Sequence, residues 1–91
     1  MIMKFPLGQM VMTPGVQELV LGGVCNPAAL LARHAAGDWG DLDEEDKAQN
    51  EAALRNRERL FSMYRLSPAQ KVYVITERDR SVTTLLLPEE Y

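Results

Sequence analysis

Ninety-one residues, 46% of them hydrophobic and 25% charged, are enough for one compact core and lie far from the composition of a disordered chain, so a single domain is expected. A net charge of −3 and a pI near 5.0 argue against non-specific nucleic-acid affinity as the main activity. The single cysteine, Cys25, leaves no internal disulfide and no thiolate pair for a metal, which points to a reducing, cytoplasmic setting. No apolar run approaches the roughly 20 residues of a membrane span, so no membrane partner is expected.

Taken in order, Phe5 to Thr13 alternates, with Leu7, Gln9 and Val11 on one side and Met10 and Met12 on the other, which predicts a short edge strand. Thr13-Pro14 then reads as an N-cap followed by a proline at the first helical position, and Gly22-Gly23 ends that two-turn helix. Asn26-Pro27 repeats the device. Leu30, Leu31, His34 and Ala35 share a face of this second helix, and Gly37 supplies its terminating glycine. Asp43 is an N-cap for a third helix with Glu44, Glu45 and Asp46 in its first turn, where the helix dipole favours carboxylates. Its apolar face, Ala48, Ala52 and Ala53 or Leu54, is thin. Leu60 to Leu66, Lys71 to Thr76 and Ser81 to Leu87 are rich in β-branched and aromatic residues and are separated by turn sequences, which predicts a three-stranded meander. The whole predicts an α+β domain: one strand, three short helices and the meander, with the helices packed on one face of a four-stranded antiparallel sheet.

No catalytic or ligand signature stands out. The carboxylates Asp38, Asp41, Asp43, Glu44, Glu45 and Asp46 invite a calcium reading, but counting from Asp41 the sixth position is Asp46 and the twelfth Ala52, where the calcium loop needs glycine and glutamate. A solvated helix start explains them, and neither metal nor cofactor is expected. His34, the only histidine, sits on an apolar helix face, where a hydrogen-bonded core histidine is the commoner case than a catalytic one. Cys25 reads as a small buried hydrophobe. Trp39 reads as a loop anchor folded over the sheet, with a partner contact as the sharper alternative.

Charge is unevenly spread. Seven of the residues from Asp38 to Glu51 are acidic against one lysine, whereas Arg55, Arg57, Arg59, Arg65, Lys71, Arg78 and Arg80 face only Glu58, Glu77 and Asp79. A bipolar molecule follows, suited to oriented association with a charged partner or with itself, unless the arginines neutralise the acidic face internally.

Three stretches, FPLGQMVMTPGVQEL, HAAGDWGDLDEEDKAQNEAAL and VYVITERDRSVTTLLLPEEY, resemble a family of small, mostly uncharacterised bacterial proteins of plasmids and other mobile elements, some labelled type I restriction endonuclease subunit M. That label does not fit, since the chain lacks a methyltransferase cofactor motif and is too short for that fold. The resemblance implies a protein that acts on host machinery and assigns no functional residue.

The first expectation is therefore a non-enzymatic interaction protein, an inhibitor of a host nucleic-acid-targeting defence system of the CRISPR or restriction type. Its contact surface would be Asp38, Trp39, Asp41, Asp43, Glu44, Glu45 and Asp46, imitating a phosphate row before a basic protein groove. The alternative is a small metal-independent ribonuclease that gathers Arg65, Glu77, Arg80, Ser81 and Thr83, with His34, on a sheet surface, Glu77 as base and Arg80 on the phosphate. A third is a DNA-binding autoregulator, for which nucleic acid is the partner. The N-terminal strand is an unpaired edge suited to homodimer formation.

Overall fold

A computed structural model describes residues 2–91. The elements run β1 (Gln9–Met12), α1 (Pro14–Leu21), α2 (Pro27–Ala35), α3 (Glu44–Asn56), β2 (Leu60–Ser67), β3 (Gln70–Thr76), β4 (Val82–Leu86) and a 3-10 turn (Pro88–Glu90). The four strands form one sheet in the order β1-β4-β3-β2. The meander is antiparallel as expected, with Ser62 opposite Val74 and Val74 opposite Leu85. The sheet is nevertheless mixed, which corrects the all-antiparallel expectation: β1 runs parallel to β4, Met12 beside Leu85. Hairpins force antiparallel neighbours, but β1 is separated from β4 by the three helices and by β2 and β3, so no tight turn fixes its direction. Alternation alone could not reveal it, since the side-chain period is two in either orientation.

The helix starts are local chemistry. The Asn26 side chain accepts from the Ala29 N–H at 3.3 Å and Asp43 from the Asp46 N–H at 2.8 Å. α1 is capped differently. The Glu90 carboxylate, from the C-terminal turn, accepts from the Thr13 hydroxyl and, at 2.9 Å, from the Gly15 N–H, so a carboxylate distant in sequence sits at the positive end of that helix. These two bonds and one from the Leu87 N–H hold the Glu90 carboxyl below its ordinary range.

Strand register places Leu60, Ser62, Tyr64, Val72, Val74, Thr76, Thr83 and Leu85 on one face, together with Met10 and Met12. The helices cover most of it. Val16, Cys25 and Leu30 pack on Tyr64, Val72, Val74 and Leu85, and a second cluster joins Phe5, Trp39, Ala53 and Leu60. Of the apolar face expected for α3 only Ala53 is buried, and Asn50 joins it in place of Ala48 and Ala52, because α3 seats against the outer edge of β2 and turns a polar residue to it. On the opposite face Phe61, Tyr73 and Tyr91 pack ring against ring, with Phe61 and Tyr73 at 4.8 Å between centroids. Among the described residues, no helix is long and apolar enough to cross a membrane.

Candidate functional site

The acidic stretch is built into the structure. β2 is an outer strand, and its outward peptide groups at Phe61, Met63 and Arg65 would otherwise be unpaired. Asn50 donates to the Phe61 carbonyl and accepts from the Phe61 N–H at 3.0 Å. The Met63 N–H donates to the Trp39 carbonyl at 3.3 Å, and the Met63 carbonyl accepts from the Asp41 N–H at 2.7 Å, an isolated bridge centred on Gly40. The Asp41 carboxylate takes the Arg65 N–H at 2.8 Å. Gly40, at φ +79°, is required there: a Cβ would stand 2.1 Å from the Met63 oxygen. The β2 edge is thus covered from Phe61 to the Arg65 N–H.

The proposed acidic contact surface is reduced accordingly. Asp38 pairs with Arg33 at 2.7 Å and also accepts from the Gly40 N–H, and the Arg33 hydrogen bond holds its carboxyl low. Its carbonyl receives the Tyr64 hydroxyl at 2.6 Å, whose burial pushes that phenol up to about 12. Trp39 is only 4% exposed and donates its indole N–H to Glu51 at 2.7 Å, so it is a loop anchor and offers no surface. Asp41 seals β2 and Asp43 caps α3. Glu44, Glu45 and Asp46 remain exposed, and of these only Glu44 meets a cation, Lys47 at 3.8 Å. Among the described residues, no group of three or more His, Cys, Asp or Glu side chains could hold a metal ion.

His34 is fully buried at the centre of a polar chain. The Thr83 hydroxyl donates to the Leu7 carbonyl at 2.7 Å, so it must accept from Thr76, also at 2.7 Å. Having given its proton to Thr83, the Thr76 oxygen accepts from His34 Nε2 at 2.9 Å. The imidazole is therefore the neutral Nε2–H tautomer, and its Nδ1 accepts from the Ser62 hydroxyl at 2.6 Å. Burial, and then the Arg80 charge, lower its pKa to about 4. With Phe5 and Trp39 edge-on at 5.2 and 5.7 Å, this is a core histidine with every polar atom partnered, shut off from any substrate.

The residues considered for ribonuclease chemistry do not converge. Glu77, Arg80 and Ser81 share the β3–β4 turn, but Arg65 lies beside Lys71 at the other end of the β2–β3 hairpin, about 20 Å away at ~3.3 Å per residue. Thr83 and His34 are buried. Glu77 is in reach of Arg59 at 3.8 Å, and Ser81 is held by Asp79, its hydroxyl donating at 2.6 Å. The basic residues are likewise split between the two ends of the sheet.

Among the described residues, the other sheet edge is open. Gln9 donates to the Ser81 carbonyl and Thr13 to the Leu85 carbonyl, so alternation turns the peptide groups of Met10 and Met12 away from β4. Beside them runs an apolar groove of about 450 Å³ between β1 and α2, lined by Met3, Met10, Met12, Leu31, Ala32 and Leu85 with no charged side chain. Met10 is 56% exposed although it lies on the helix-facing side of the sheet. The groove was not foreseen from the sequence, although a signal was present: four of the five methionines fall within the first twelve residues. No protein-family model, no curated protein and no solved structure matches the chain.

Proposed function

We propose that this chain is an interaction protein that takes an extended apolar segment of another polypeptide onto the β1 edge. The observation that carries the reading is the contrast between the two edges. β2 is closed at Phe61, Met63 and Arg65, whereas β1 presents unused peptide groups next to a groove of flexible, polarisable methionines. Strand addition uses both features: main-chain hydrogen bonds supply affinity and the groove takes alternate side chains. An uncharged groove selects an apolar segment.

A second contact is supported by the three exposed carboxylates at the start of α3. Glu44, Glu45 and Asp46 fit a basic, nucleic-acid-binding protein surface, the kind of target expected of an inhibitor from a mobile element that blocks a CRISPR or restriction system.

Affinity purification from a host lysate separates the two when three baits are compared. Met10→Pro removes an outward N–H without touching the β1–β4 ladder, and it should abolish recovery of the partner that the wild type retains. Reversing Glu44, Glu45 and Asp46 to lysine should leave it in place. The opposite pattern would favour the acidic contact, and a partner indifferent to both variants would refute both readings.

A further inference from the structure

We propose that the cleft between the N-terminal segment, the end of α3 and the β3–β4 turn binds the phosphate group of a small phosphorylated ligand. It encloses about 610 Å³, within the range of small-molecule sites, and is lined by Lys4, Arg57, Arg78 and Arg80 with the apolar side chains of Phe5 and Leu54, the Lys4 ammonium lying toward Gly37. These are four of the ten basic residues of a chain with net charge −3. The ion pairs among the described residues use Arg33, Lys47 and Arg59, and none of the four. The one carboxylate in the cleft, Asp79, is turned back on the Ser81 N–H at 3.0 Å and its hydroxyl.

Backbone conformation brings two of these arginines to the cleft. The two non-glycine residues of the described chain with positive φ are Arg57 at 55° and Arg80 at 62°, and both line this cleft. L side chains enter that region at a cost, and glycine or asparagine is the ordinary occupant of a helix C-terminus or a tight turn. Arg80 is held in place: its Nη1 donates to the Glu58 carbonyl at 2.7 Å and its guanidinium lies over the Phe5 ring at 5.7 Å. Its Nε and Nη2 make no hydrogen bond among the described residues. Arg57 closes α3 with its N–H on the Ala53 carbonyl and Arg80 closes the β3–β4 turn with its N–H on the Glu77 carbonyl, so the fold sets both backbones, and it leaves two mutually repelling guanidinium groups beside one another. An oxyanion between them offsets that repulsion, because arginine forks match phosphate oxygens and the bonds are charge-assisted. A small ligand is favoured over a nucleic acid because the cations converge on one cleft, while Arg65 and Lys71 lie at the far end of the hairpin.

The test is calorimetric titration at low salt with pyrophosphate and with AMP, on the wild type and on Arg57→Gly, Arg78→Gln and Arg65→Gln. Saturable binding of either probe is expected, weakened about 10-fold or more by Arg57→Gly and by Arg78→Gln and unchanged by Arg65→Gln. Arg57→Gly should keep or raise the melting temperature, since glycine accepts the left-handed conformation, and so its loss of binding cannot be ascribed to unfolding. Absence of saturable binding by both probes overturns the proposal, as does equal weakening by Arg65→Gln. A single-stranded oligonucleotide that binds more tightly than both probes and is weakened alike by Arg57→Gly and Arg65→Gln would replace the cleft with a diffuse basic surface.

Discussion

Burial of a neutral histidine predicts a specific acid sensitivity. His34 has its pKa lowered to about 4 against 6.5 in an unfolded chain, so as pH falls through 6.5 the unfolded state takes up a proton that the folded state refuses. The stabilisation is present above pH 6.5 and is lost as pH falls toward 4. At 1.36 kcal/mol per pKa unit the full loss is about 3 kcal/mol, of which about 2 kcal/mol falls between pH 7 and pH 5. Asp38 and Glu90, whose carboxyls are held low, lose their contributions only as pH drops through the carboxylate range, so the upper window belongs to His34. Equilibrium urea unfolding followed by the fluorescence of Trp39, the only tryptophan, reads the effect at fixed ionic strength. His34→Gln keeps a donor toward Thr76 and does not titrate. It should be less stable at pH 7 by about 1–3 kcal/mol, through the unpaired Ser62 hydroxyl, but flat between pH 7 and pH 5. A wild type with constant stability across that interval, or a His34→Gln protein with the wild-type slope, would refute the argument that a buried neutral His34 sets the acid sensitivity.

The sealed β2 edge gives two further predictions. Gly40→Ala places a Cβ against the Met63 carbonyl in a left-handed residue and should cost about 3 kcal/mol, lowering Tm by roughly 12–20 °C in a thermal melt. Asn50→Ala strips both hydrogen bonds from the Phe61 peptide and should cost about 2–4 kcal/mol in urea unfolding, with fast amide exchange at Phe61 as the local signature.

Local chemistry made part of this structure legible in the sequence. Asn26 and Asp43 cap the next turn within three residues, and Gly37 takes a positive φ directly after α2, so the helix boundaries could be read without knowing the fold. The hairpins were legible because their turn residues interrupt β-rich runs. What escaped depends on partners distant in sequence. Asp41 reads as one more surface carboxylate until the loop lies along β2 and meets the Arg65 N–H. Asn50 reads as part of a polar helix face until that face is set against Phe61. Arg57 and Arg80 carry no sequence mark of a left-handed backbone, because the usual glycine is missing at both positions. His34 was expected in the core, but its tautomer follows from a chain of hydroxyls that ends on Leu7, which only the folded sheet assembles.

The density of charge between Asp38 and Asp46 is therefore a poor guide to where a partner sits. Four of the side chains in that run, Asp38, Trp39, Asp41 and Asp43, act on the protein itself: they satisfy peptide groups, fix a loop and start a helix. A surface that binds must instead retain unsatisfied capacity, and two regions do so in different ways. The β1 edge keeps outward peptide groups beside an apolar groove, whereas the cleft at Arg57 and Arg80 keeps cations without counter-ions. The two regions meet in the N-terminal segment, where Met3 lines the groove and the adjacent Lys4 lines the cleft. A substitution in that segment would disturb both at once, so Met10 on one side and Arg57 or Arg78 on the other are the positions that separate polypeptide capture from anion binding.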